Sequence, residues 1–353
     1  MPQLDSLRAI AVGLVLVEHF AGATVNSYIP IGAGTLGVGG FFTLSGFLIT
    51  GILLESFDRN RGPALAVWKE FYARRIIRLA PAFYLVLLAL IALDVEPIAS
   101  SWPWHASYLT NIWIALGNPS NVFWSLSVEE QFYLFWPFII ALTPRQFLIP
   151  TTIGLIGIAL LTKLMLVLAG VPLGPVRGLL PLNLELLALG CLLAMASYRN
   201  GRANDFGWYR GRRVRLFTAV AFAAISLAIA IWLIFGETGL TRLFANNLLC
   251  AIFFAWLIAS AAIGFSGKIG QFLNNPLLQL CGQMSYGIYL VHSFVPDLVE
   301  RYAGPMPKWQ AAPIVLAITF GVCALSWFFV ERPLLRWGRR LQTSKADAGA
   351  SAA

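Results

Sequence analysis

Charge is scarce in this sequence. Of its 353 residues only 12% are Asp, Glu, Lys or Arg, about half the share of an ordinary soluble domain. With 58% hydrophobic residues and a mean hydropathy of +0.74, that scarcity excludes a soluble globular chain. Histidine is rarer still: His19, His105 and His292 are the only three. The four cysteines, Cys191, Cys250, Cys281 and Cys323, sit singly in apolar runs. None forms a CxxC or a metal-like pair with histidine, so they read as small packing residues, and no metal site is expected. No GxxxxGK[ST] phosphate loop occurs, which argues against an ATP-driven transporter. The net charge of +9 would suggest nucleic acid in a soluble protein, but membrane topology accounts for it better and no nucleic-acid partner is expected.

What is present is a series of apolar stretches long enough to cross a bilayer. Ten spans are predicted, at about 7–26, 36–54, 77–93, 122–142, 147–169, 180–198, 216–235, 246–263, 277–294 and 313–330. The fold class is thus all-α, a polytopic transmembrane helical bundle. One membrane domain over 1–341 is expected, with a small polar tail over 342–353. Ala9–Val17 has the length of a signal-peptide core, but Asp5 and Glu18-His19 oppose that reading, so it is taken as a retained span. Counted by loop, 20 of the 25 lysines and arginines fall on the side of the termini. Only Arg177, Arg242, Arg301 and Lys308 fall on the other, with Lys163 inside the membrane. That bias predicts both termini in the cytoplasm.

The first span carries Arg8 near its start and His19 eleven residues on. At about 100° per residue the two share one flank, about 16 Å apart along the axis. An ionisable group at that depth is costly and is by default a functional candidate. Ser45-Gly46 in the second span suits close helix approach, which competes with a catalytic part for Ser45. Arg75 and Arg78 are i, i+3 neighbours. Paired guanidinium forks suit phosphate, although a positive-inside anchor would look the same. Trp102, Trp104, Tyr108 and Trp113 mark an outer interface to which His105 belongs. Glu129 and Glu130 open the fourth span about 100° apart, and Tyr133 shares the face of Glu129. Lys163 and Glu185 are buried charges that either pair or face a cavity. Ser285, Tyr289 and His292 form a polar stripe in the ninth span.

Taken together these segments resemble the membrane-bound acyltransferase-3 family, over nearly the whole chain. Arg8 and His19 are similar to its arginine-ten-histidine signature, and Phe41-Phe42 through Ser45-Gly46-Phe47-Leu48-Ile49 to its FFxxSGFLI segment. Arg75-Ile76-Ile77-Arg78 resembles its cytoplasmic arginine pair. Trp124-Ser125-Leu126 with Val128-Glu129 and Gln131-Phe132-Tyr133 is similar to WSLxVExQFY, and Ser285-Tyr286 with Tyr289-Leu290 and His292 to SYxxYLxH. Glu18 departs from the pattern, being a charge where the family tolerates an apolar residue.

The resemblance implies an O-acyltransferase of the bacterial cytoplasmic (inner) membrane. It would move a short acyl group, acetyl above all, from cytosolic acyl-CoA to a hydroxyl of a carbohydrate or glycolipid. No permanently bound cofactor is expected. His19 is then the candidate base, Glu129 its carboxylate partner, and Arg8 a guide at the lower entry. Arg75 and Arg78 would take the CoA phosphates. Ser45, Tyr133, Tyr289 and His292 are candidate oxyanion or acceptor contacts. The same chemistry on a lipid or small metabolite stays open, and so does a proton-coupled transporter or flippase.

Overall fold

The computed structural model describes residues 1–25, 32–59, 63–198, 202–209, 211–235 and 247–338. The predicted tail over 342–353 lies outside them, as do Asn26, Arg199, Arg210 and Arg242. The longer helices of the first part are α1 (Pro2–Val25), α2 (Ala33–Arg59) and α3 (Ala64–Ala92). The short α4 (Trp102–Ala106) and α5 (Thr110–Ala115) lead to α6 (Phe123–Leu142), α7 (Leu148–Leu168), α8 (Leu173–Val176) and α9 (Leu184–Ala196). Then come α10 (Arg212–Phe235), α11 (Asn247–Ile263), α12 (Gly267–Leu273), α13 (Pro276–Gln283) and α14 (Ser285–Val291). The chain closes with α15 (Val295–Ala303) and α16 (Lys308–Ser326), which runs on through a π-helical turn at Trp327–Glu331.

Among the described residues five helices are long and apolar enough to cross a membrane, six if the bent pair α11–α12 is one span. They cover part of the ten spans expected, and the chain is a multi-pass membrane protein. Buried share separates them. The apolar window of α2 is 61% buried, against 22% or less in α3, α7, α10 and α16. Apolar side chains that a helix does not bury in protein are the ones lipid solvates, so of these five helices α2 is the most enclosed and the others turn their apolar sides to the bilayer.

Three predicted spans have other boundaries. The third begins at Ala64, not near Ile77, so Arg74, Arg75 and Arg78 lie inside a helix. The stretch 64–76 holds no glycine or proline and carries an i, i+4 Glu70–Arg74 ion pair, both of which favour helix. The sixth is split into a 3-10 turn at Leu180–Leu182 and the 13-residue α9. The ninth breaks at the polar step Gln283–Ser285 into α13 and α14. Between α11 and α12 the chain turns by 86° through Gly264 and Gly267, whose φ of +106° and +63° only glycine adopts cheaply.

The chain divides into two compact units, 1–62 with 107–285 and 63–106 with 286–353. In the first, α1 and α2 run antiparallel. A side chain at Gly37 would strike the Ala11 carbonyl and Val15. Glu18 accepts the Gly34 amide at 3.2 Å, supplying one of the acceptors that the start of α2 lacks. That gives the unexpected charge before His19 a place. On its other side α2 meets α9 backbone to backbone. A Cβ at Gly46 would collide with the Leu187 carbonyl, and one at Gly190 with the Thr43 carbonyl and the Phe47 amide. Small residues at such crossings let helices approach where lipid supplies no hydrophobic drive. In the second unit α3 packs on α4 and on the π-helical turn, and α15 packs on α16.

Gly46→Val should therefore force α2 and α9 apart. A loss of about 1–3 kcal/mol, read as a lower melting temperature of the detergent-solubilised protein, is expected. Gly154→Val, at a position with open space around it, should leave the melting temperature unchanged.

Candidate functional site

The candidate residues fall in both units. Arg8, His19, Ser45, Glu129 and Tyr133 belong to the first, and Arg75, Arg78, Tyr289 and His292 to the second.

In the first unit α2 and α6 run parallel and are joined by side-chain hydrogen bonds. Trp136 Nε1 donates to Thr50 Oγ1 at 2.8 Å. Earlier along both helices, Ser45 Oγ donates to Glu129 Oε1 at 2.8 Å. Tyr133 OH lies 3.1 Å from Glu129 Oε2 and 2.9 Å from Ser45 Oγ. Its single proton serves one of these at a time, so two of the three contacts are hydrogen bonds at any moment. Glu129 and Tyr133 meet because they are i, i+4 on α6. Ser45 reaches them because Gly46 seats α2 deep in the unit. Ser45 and Tyr133, candidates for oxyanion contacts, are thus both directed at the carboxylate. Beside them, Asn111 and Gln131 exchange amide hydrogen bonds at 3.0 and 2.9 Å, and Gln131 also holds the Tyr108 carbonyl at 3.0 Å. The sequence offered no sign of this pairing.

His19 Nδ1 lies 3.0 Å from the Val15 carbonyl. A carbonyl only accepts, so in the neutral ring Nδ1 carries the proton and Nε2 keeps the basic lone pair. The orienting function that the sequence reading gave to a carboxylate is supplied at Nδ1 by backbone one turn earlier. Arg8 pairs with Asp5 at 2.9 Å. It lines a small apolar cleft between α1, α2 and α11, with Ala11, Leu14, Phe41, Phe254 and Leu257 among its walls.

In the second unit Arg75 lies over the Phe71 ring at 5.7 Å and is half-buried, whereas Arg78 is exposed. His292 is buried, with Nδ1 2.8 Å from the Tyr289 carbonyl and the two rings 5.4 Å apart. His105, expected at an interface, is instead fully buried, its Nε2 2.9 Å from Ser101 Oγ. The short α4 turns it inward, and Tyr84 OH fastens the end of that helix through the Ala106 carbonyl at 2.9 Å.

Lys163 and Glu185 pair with one another, both fully buried between α7 and α9. Of the two readings the sequence left open, mutual pairing is the one observed. Among the described residues no group of three or more His, Cys, Asp or Glu is placed to hold a metal ion.

A multi-pass helical bundle with a hydrogen-bonded carboxylate on α6 and an oriented imidazole on α1 has the parts of an integral-membrane transferase. The chain belongs to the acyltransferase-3 family: the family's model, described as an acyltransferase domain, matches residues 1–331. It is 27% identical over 364 residues to the peptidoglycan O-acetyltransferase OatA of Listeria monocytogenes, covering 96% of this chain and 56% of that protein. It is 27% identical over 369 residues to YrhL of Bacillus subtilis, a candidate peptidoglycan O-acetyltransferase, with the same coverages. A candidate O-acetyltransferase of Staphylococcus aureus is 29% identical over 365 residues, 96% of this chain and 58% of that protein. The chain thus spans little more than half the length of these curated relatives. No solved structure matches it.

Two outcomes test these assignments. Lys163→Met leaves a buried carboxylate without its cation and should cost about 3–5 kcal/mol, whereas Lys163→Met with Glu185→Leu should recover most of the lost melting temperature. Burial lowers the pKa of His105 to about 4, below its usual value near 6.5. The unfolded chain therefore takes up a proton there that the folded chain refuses, and stability should fall as pH drops from about 6.5 toward 4. His105→Asn should flatten that part of a melting-temperature-against-pH curve.

Proposed function

We propose that this protein transfers an acetyl group from cytosolic acetyl-CoA to a carbohydrate hydroxyl presented at the outer side of the bacterial cytoplasmic membrane. The names of the relatives point to a peptidoglycan sugar as the acceptor. The thioester supplies the driving force, so no ATP site is needed. The observation that carries the reading is the Ser45–Glu129–Tyr133 triangle. A carboxylate held in place by two hydroxyls inside an apolar bundle is costly unless it has a task.

In this reading the acceptor hydroxyl attacks the thioester carbonyl carbon while His19 Nε2 removes its proton. The tetrahedral intermediate collapses with cleavage of the carbon–sulfur bond. The imidazolium returns its proton to the CoA sulfur, leaving the ester and free CoA. The Val15 carbonyl keeps Nδ1 protonated throughout, and the negative charge of Glu129 favours the imidazolium. Ser45 and Tyr133 hold that carboxylate ordered. Arg75 and Arg78 take the CoA phosphates, and Arg8 guides the lower entry. Pairing of Lys163 with Glu185 removes two of the four groups that a proton-coupled transporter would use.

The reconstituted enzyme, given labelled acetyl-CoA and peptidoglycan fragments, should form acetyl ester and free CoA in equal amounts. His19→Ala and Glu129→Gln should each lower kcat/KM by about 10²–10⁴-fold. Wild-type turnover in both variants would overturn the assignment.

A further inference from the structure

In the second unit, one buried carboxylate has no part in the scheme above. Glu331 ends the π-helical turn Trp327–Glu331 and is 6% exposed. A π turn inserts an extra residue into a helix and recurs at functional sites. Here it lies in the apolar span Trp309–Gly338, where an ionisable side chain needs a counter-charge. Ser326 Oγ donates to Glu331 Oε1 at 2.9 Å. Gly287 lies alongside the carboxylate, a Cβ there coming to 3.5 Å from Oε1.

The same neighbourhood fixes the turn of α3 that carries Arg78. Tyr286, adjacent to Gly287, donates its hydroxyl to the Leu79 carbonyl at 3.2 Å. Ile77 lies against Gly338, where a Cβ would be 3.4 Å from its Cδ1. Arg78 is bracketed by these two contacts, on the helix that packs against the π-helical turn ending in Glu331. Two other nearby arginines are turned to rings: Arg332 lies over Phe328 at 5.7 Å and Arg75 over Phe71 at 5.7 Å.

We infer that Glu331 is a positioning residue for the acyl-CoA donor site, its carboxylate on the widened turn of α16 orienting the Arg78 guanidinium toward the CoA phosphates. This rests on the proposed donor site at Arg75 and Arg78. A long arginine side chain loses much rotamer freedom when it binds phosphate. A counter-charge held by Ser326 removes part of that loss before the donor arrives, and it also sets which way the fork points.

Steady-state kinetics of the full-length protein in nanodiscs tests this, with acetyl-CoA and acceptor varied separately. Glu331→Gln should raise the acetyl-CoA KM about tenfold while kcat and the acceptor KM stay within about twofold. Glu331→Asp should recover most of the affinity. Ser326→Ala, a milder change for use if Glu331→Gln folds poorly, should shift the same constant in the same direction by less. Arg78→Ala should raise the acetyl-CoA KM by as much, and the double variant Arg78→Ala/Glu331→Gln should go no further. If Arg78→Ala raises that KM and neither Glu331→Gln nor Ser326→Ala does, the inference fails and the donor-site reading stands. If Arg78→Ala leaves it unchanged, the donor-site reading fails and takes the inference with it. Equal losses in kcat and both KM values alongside a lowered melting temperature would make Glu331 a packing residue and overturn the inference.

Discussion

Hydrocarbon offers no hydrogen bonds, so every polar side chain carried into this bundle has to find its partner inside the protein. The first unit is arranged around that constraint. Ser45, Glu129 and Tyr133 satisfy one another, Trp136 is answered by Thr50, and Lys163 by Glu185. Each of these contacts joins two different helices or two turns of one helix. The polar groups therefore determine which helices touch and at what depth, while the apolar residues around them only exclude lipid. Glycine makes the short distances feasible: at Gly46 and Gly190 a hydrogen stands where any other side chain would hold the backbones apart.

The chemistry depends on the same economy of partners. An imidazole acts as a base only if its proton sits on the other nitrogen, and in α1 that is secured by a main-chain carbonyl one turn earlier. Backbone holds the ring without introducing a second charge into the membrane. In the proposed reaction the carboxylate of Glu129 acts through its field, while Ser45 and Tyr133 bond it in place. Arginine is treated in the same manner in the second unit, where Phe71 carries the face of Arg75 and the helix of Arg78 packs on the turn that bears Glu331.

Much of this was legible in the sequence, for local reasons. Apolar runs marked the long helices, and the i, i+4 spacing of Glu129 and Tyr133 placed both on one face. Lys163 and Glu185 stood out as buried charges that either pair or face a cavity, and the sequence did not choose between the two. What stayed hidden was non-local or carried by backbone. The contact of Ser45 with Glu129 joins residues 84 positions apart, and nothing in either segment specifies the other. Val15 contributes a carbonyl, which every residue has, so no side-chain pattern announces it. The early start of α3 was missed because polar residues at 64–76 were read as loop, although nothing there breaks a helix. The ninth predicted span failed for the opposite reason: its mean apolarity concealed the break at Gln283–Ser285. His105 looked interfacial among its tryptophans, and only the fold of α4 buries it.

The cytoplasm-facing end predicted for α1 has one further consequence. Gln3 exchanges two hydrogen bonds with the backbone of Phe265, at 3.1 and 2.7 Å, and Ser6 donates to the Leu273 carbonyl at 2.5 Å. Gly282 lets α13 lie directly on the Asp5 carbonyl. These bolts fasten the helix along its axis, so it has no freedom to slide like a piston through its unit. The ring of His19 consequently keeps a constant depth, and in the proposed reaction it is the two substrates that must travel to meet it.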